Sequence, residues 1–84
     1  MQIHFTEKAL KDLSYWKKIK DKRINKKIVE LLKAIEEDYK TGIGQPEFLK
    51  HLKVWSRRIN LEHSITYEII DGIILIQGLK GHYN

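Results

Sequence analysis

At 84 residues the chain has room for one small domain with a thin core, and its lack of cysteine excludes a disulfide framework or a thiolate metal site. No apolar run reaches membrane-spanning length, and Met1 leads into an alternating segment rather than a secretory signal, so the chain is expected in the cytoplasm. A net charge of +5 favours phosphate-rich or acidic partners, with a merely lysine-rich surface as the plain alternative.

Residues 2–5 alternate polar and apolar, as a short half-buried strand does, with Ile3 and Phe5 facing inward. Thr6 suits a helix N-cap, and Glu7 then falls near the positive end of the helix dipole. The helix that follows carries Ala9, Leu13 and Trp16 on one face with Leu10 flanking, a stripe that reads as core. His4 has no evident partner and reads as structural or idle. A charge-dense join leads to a second helix with Asp21 as its N-cap. Ile24, Ile28, Leu31, Leu32, Ile35 and Tyr39 recur at helical spacing and predict a helix over 22–38. Two helices joined so briefly fold as an antiparallel hairpin packed on a sheet. The basic face of the second helix (Lys22, Lys26, Lys27 and Lys33) is a solvated face in one reading and an RNA contact in the other.

Residues 41–46 break the helix, because Gly42 and Gly44 admit unusual backbone angles and Pro46 disfavours helix at Gln45. These glycines lack the strand and helix of a nucleotide-binding loop, so their expected task is to turn the chain and hold Glu47 in a loop at a fixed angle. Residues 48–52 suit a strand and 54–60 another, with Trp55, Arg57 and Ile59 on one face and Ser56 and Arg58 on the other. Residues 63–70 alternate cleanly, Ile65, Tyr67 and Ile69 against Ser64, Thr66, Glu68 and Ile70. Asp71-Gly72 signals a two-residue hairpin turn, after which 73–80 returns as an apolar central strand. With Ile70 opposite Ile73, the register sets Tyr67 opposite Ile76, Ser64 opposite Leu79, and His82 beside Leu61. The expected fold is α+β, a single domain over 1–84: an N-terminal strand and a helix hairpin packed on a small, mainly antiparallel sheet.

The segment from Gly44 to Tyr67 concentrates chemistry: one acid in a loop, Glu47; the cations Lys50, Lys53, Arg57 and Arg58; the imidazoles of His51 and His63; and Trp55. Such a set suits a phosphodiester. RNA carries its own nucleophile, the ribose 2′-hydroxyl, so its cleavage without metal needs a base, a cation for the phosphorane and an acid for the leaving oxygen. Glu47 can serve as base and His82 as acid, while Arg58 and Lys50 supply fixed charge. Tyr83 can stack on a base or donate to phosphate. No acid or histidine cluster has metal-ligand spacing, so neither metal nor other cofactor is expected. Each role has a plain counterpart: Glu47 as a solvent-facing acid, His51 and His63 as structural hydrogen-bonders, Trp55 as core or dimer contact. Arg57 and Arg58 point to opposite faces, so only one of them meets a substrate; the other pairs with a helix acid or meets a partner.

The motif Gly-x-Gly-x-Pro-Glu-x-Leu-Lys (Gly42 to Lys50), then Trp-Ser-Arg-Arg-Ile (Trp55 to Ile59), Glu62-His63 and the terminal His82-Tyr83 resembles the YoeB toxins, a family of RelE-like bacterial toxins. The resemblance implies a RelE-like fold and the toxin of a type II toxin–antitoxin system, an mRNA endonuclease that acts in the A site of the 70S ribosome. It also implies homodimers and an acidic YefM-like antitoxin that disables the site. Carried over, the family's base falls on Glu47, its basic helpers on Lys50 and Arg58, and its terminal pair on His82 and Tyr83. Lys53, His51, His63 and Arg57 complete the candidate RNA-binding set. The family's catalytic arginine falls on Ser64, and Asn84 adds one residue to the usual His-Tyr ending. A missing stabilising group costs on the order of 10²–10³ in rate, so a feeble or inactive nuclease is expected. Either the serine disarms the toxin, or a neighbour such as Lys80 or Arg57 has taken over. A non-catalytic module that binds ribosome or antitoxin is the alternative. A topoisomerase poison of the ParE branch would lack the acid–base set.

Overall fold

The computed structural model describes residues 1–81, so His82, Tyr83 and Asn84 lie outside the described residues. The elements are β1 (Gln2–Phe5), α1 (Glu7–Ile19), α2 (Lys22–Glu37), β2 (Glu47–Leu49), β3 (Val54–Arg58), β4 (Ser64–Ile70) and β5 (Ile73–Gly78). The strands form one mixed sheet in the order β1-β5-β4-β3-β2, with β1 parallel to β5 and the other neighbours antiparallel.

Both helix starts follow from capping chemistry. The Thr6 hydroxyl accepts the Ala9 N–H at 3.1 Å, and the Asp21 carboxylate accepts that of Ile24 at 3.0 Å. Between the helices Lys20 turns left-handed, and the Asn25 amide donates to the Trp16 carbonyl at 3.0 Å, tying the hairpin together. Ala9, Trp16, Ile28, Leu31 and Ile35 press the helices onto one face of the sheet, against Ile59, Ile65, Tyr67, Ile74, Ile76 and Leu79. Because side chains alternate along a strand, Ser56, Arg58, Ser64 and Thr66 point to the opposite face, which no helix core covers. Trp55 stands on the helix side, with ring contacts to Tyr39, Phe48 and Tyr67.

The sheet departs from the expected pattern in three places. At the β4–β5 hairpin, Asp71 and Gly72 both have positive φ, and Ile70–Ile73 and Tyr67–Ile76 pair as expected. Thr66 then pairs with Gly78, so a bulge takes up one residue and Ser64 does not meet Leu79. Instead Leu79 turns its backbone to α1, its N–H donating to Asp12 at 2.9 Å and its carbonyl accepting from the Trp16 indole at 2.8 Å. The Ser64 N–H goes to the Gly81 carbonyl at 2.9 Å. Next, β2 stops at Leu49 rather than running to 52, because the Leu49 carbonyl accepts from both Leu52 and Lys53 and closes a tight turn. Finally, Glu47 is the first residue of that strand and not part of the preceding loop.

Gly44 shows why the loop before β2 needs glycine. Its φ is +85°, and a Cβ there would stand 2.6 Å from a Leu31 methyl that is itself fully buried. Gly44→Ala should therefore cost about 1–3 kcal/mol through strain and overpacking, read as a lower urea midpoint at unchanged slope.

Candidate active site

Cross-strand register builds the site on the open face. Glu47 pairs with Ser56, Ser56 with Thr66, and one step further Arg58 pairs with Ser64. Directly opposed side chains start roughly 4.5–5.5 Å apart and diagonal ones roughly 7–8 Å, so Glu47, Arg58 and residue 64 share one patch. The glycine loop holds it in place, since the Gly44 carbonyl accepts the Arg58 N–H at 2.7 Å. Glu47 and Arg58 are exposed, whereas Ser64 is buried. The bond from Ser64 to Gly81 sets the residue that precedes His82 against the same end of the sheet. The roles expected of His82 and Tyr83 fall outside the described residues.

Lys50, His51 and Lys53 lie elsewhere. They are exposed at the tip of the β2–β3 hairpin, with Lys50 three residues and roughly 10 Å along the strand from Glu47. Between this tip and α1, Lys8, Leu52, Val54, Thr66 and Gln77 line a cleft of about 250 Å³ that adjoins the Glu47 row through Thr66. Sequence reasoning did not assemble this cleft, because Lys8 and Gln77 reach it only through the packing of α1 beside β5.

Arg57 requires a correction. It is completely buried on the helix side and is therefore not an RNA contact. Its guanidinium donates to the Tyr67 hydroxyl at 3.1 Å and to the carbonyls of Ile43 at 3.0 Å, Asp38 at 2.5 Å and Thr41 at 2.7 Å. Tyr67 in turn donates to the Tyr39 carbonyl at 2.6 Å. One cation thus gathers the carbonyls at the C-terminal end of α2 and in the glycine loop, where the helix dipole is negative. It pairs with carbonyls and a phenol, not with a helix acid. Asp38, which caps this end of α2, is held below the usual carboxylate range by the Lys40 N–H and the Thr41 hydroxyl.

Burial pushes the Tyr67 phenol above its ordinary value of 10.0, and Arg57 works against that shift. A raised folded pKa means that stability is fully present below pH 10 and is lost as pH rises toward the folded value. Tyr67→Phe should be less stable at neutral pH yet lose less of its stability above pH 10.0, measured by urea unfolding across that range.

The cation proposed to replace the missing arginine is also absent from the patch. Lys80 places its ammonium over the Tyr15 ring of α1, 4.0 Å from the centroid, and Arg57 faces the other side of the sheet. His63 takes the structural alternative: its ring stands edge-on to Trp16 at 4.7 Å, and its Nδ1 accepts the Gly81 N–H at 3.0 Å. His51 remains exposed at the hairpin tip. Asp12 was not anticipated as a functional residue. A buried acid on a helix face gives no sequence signal until the backbone N–H that it accepts is known.

A family model described as the YoeB-like toxin of bacterial type II toxin–antitoxin systems matches residues 5–83. The chain belongs to that family. Toxin YoeB of a Synechocystis species is 46% identical over 85 residues, spanning 99% of this chain and 98% of that protein. Among solved structures, the YoeB dimer from Staphylococcus aureus is similar with a TM-score of 0.86 and 43% identity, covering 99% of this chain and 98% of that one. The heterotetrameric YoeB–YefM complex from the same organism gives 0.84 at 43% identity with the same coverage. In this YoeB-like toxin the motif residues that share the open face are Glu47 and Arg58, with serine at 64 beside them. Among the described residues, no helix is long and apolar enough to cross a membrane.

Proposed function

We propose that this YoeB-like toxin is a ribosome-dependent mRNA endonuclease that Ser64 has weakened. The observation that carries the reading is the convergence of Glu47, Arg58 and residue 64 on one face of the sheet, the first two exposed and the third buried, next to the backbone that leads into His82. Glu47 takes the 2′-hydroxyl proton, and the 2′-oxygen attacks phosphorus. Arg58 balances the charge that builds on the phosphorane. His82 protonates the 5′-oxygen as the P–O5′ bond breaks, leaving a 2′,3′-cyclic phosphate and a free 5′-hydroxyl. Tyr83 orders the nucleotide, and Lys50, Lys53 and His51 engage the RNA backbone from the hairpin tip. No metal takes part.

Homodimerisation and capture by a YefM-like acidic antitoxin are proposed from the similar dimer and complex of Staphylococcus aureus. The net charge of +5 suits both that antitoxin and the 70S ribosome. The alternative, a module that binds ribosome or antitoxin without cutting, is favoured by Ser64 itself.

The experiment is cleavage of mRNA on programmed ribosomes by the Ser64→Arg chain, with and without Glu47→Gln. Removing the base should slow cutting by about 10²–10⁴, and chelation by EDTA should leave it unchanged. Undiminished cutting by the Glu47→Gln chain would refute Glu47 as the base.

A further inference from the structure

Leu79 and Gly81 are held from several sides. On α1, Asp12 accepts the Leu79 N–H at 2.9 Å, and one turn later the Trp16 indole donates to the Leu79 carbonyl at 2.8 Å. Across the sheet, Ser64 donates its N–H to the Gly81 carbonyl. The Gly81 N–H points at His63 Nδ1, 3.0 Å away, and that ring is braced edge-on against the same Trp16. A backbone N–H always donates, so His63 Nδ1 carries no proton here and its proton sits on Nε2. Gly81 has a φ of +99°, so the chain turns sharply at the point where these bonds fix it.

The core alone does not call for this arrangement. Leu79 is fully buried and could have stayed in the strand ladder, yet a bulge takes it out and hands both of its backbone groups to α1. Asp12 is buried, and its carboxylate is satisfied by the Leu79 N–H and by the Lys8 ammonium at 2.8 Å, while His63 Nδ1 is satisfied by the Gly81 N–H. What they fix is the backbone immediately before His82.

We infer that His63, braced by Trp16 and acting together with Asp12, is a positioning residue that fixes the Gly81 backbone from which the chain continues to His82 and Tyr83. The inference rests on the proposed nuclease reading, since it assigns those residues their purpose. A general acid must meet its leaving oxygen within hydrogen-bond reach, and a displacement of about 1 Å can cost roughly 10²-fold in rate. His63 touches neither substrate nor reacting atoms. It acts through Gly81.

The test uses the chemistry of the two ring nitrogens, in the Ser64→Arg chain on programmed ribosomes. In His63→Asn the side-chain oxygen stands where Nδ1 stood and still accepts from Gly81. In His63→Gln the amide reaches toward the Nε2 position and leaves the Gly81 N–H without its acceptor. The Gln chain should lose about 10²-fold in single-turnover cleavage with half-saturation little changed, and the Asn chain should recover most of it. Amide exchange at Gly81 should follow the same order, slow in the parent and in Asn, fast in Gln. If His63 only packed against Trp16, Asn and Gln would behave alike. Equal losses, or no loss in either, would overturn the inference while a cutting parent kept the nuclease reading intact. A parent that does not cut would remove that reading and the inference with it.

Discussion

Arg57→Ala should remove about 3–5 kcal/mol of folding stability, the loss expected when one partner of a buried charged network is deleted. A chain of this length has roughly 4–13 kcal/mol in total, so the variant stands at the edge of unfolding. The reason lies in the acceptors left behind. Without the guanidinium, the carbonyls of Asp38, Thr41 and Ile43 and the Tyr67 hydroxyl lose their common donor at once. Arg57→Lys should recover little, since a single ammonium cannot span four oxygens that a planar fork reaches together. The site should loosen as well, because the same loop uses its Gly44 carbonyl to hold Arg58. Urea unfolding of the two variants checks this, and a lysine chain within about 0.5 kcal/mol of the parent would contradict it.

Ser64→Arg should accelerate cleavage of ribosome-bound mRNA by at least about 10²–10³, the usual worth of one preorganised stabilising group. In phosphoryl chemistry an arginine supplies up to roughly 10³–10⁵. The geometry adds a signature that a gain of activity alone would not. Residue 64 is the direct cross-strand partner of Arg58, so a second guanidinium there meets like charge at about 5 Å between Cβ atoms. Ser64 is buried, so the larger side chain and that opposition together should lower folding stability by about 1–3 kcal/mol, and an anion bound between the two arginines should restore the electrostatic share. Gain in rate and loss of stability are thus expected together. A Ser64→Gln chain, long but uncharged, should lose stability to packing without the gain in rate and without rescue by the anion.

The helix caps at Thr6 and Asp21, the core stripe of α2 and the Asp71-Gly72 turn were legible because each is decided within a few residues. The family signature was equally local, running through consecutive motifs from Gly42 to His63. What escaped was set by distant partners. The bulge opposite Thr66 depends on α1 claiming both backbone groups of Leu79. Arg57 looked like a second RNA contact because charge normally stays at the surface, and only the carbonyls gathered from residues 38–43 make its burial tolerable. The strand 48–52 was cut short by one carbonyl that accepts two N–H groups, a choice that alternation of side chains does not record. In the site, alternation correctly separated Arg57 from Arg58. It left open which face was the inner one.

The most direct measurement is single-turnover cleavage of mRNA on purified programmed ribosomes, with this chain and its Ser64→Arg version side by side. The arginine chain should cut in the A-site codon, and the serine chain should be slower by a factor of at least about 10². Equal cutting by both would show that residue 64 is not the missing cation, and binding without cutting by either would contradict the nuclease reading itself.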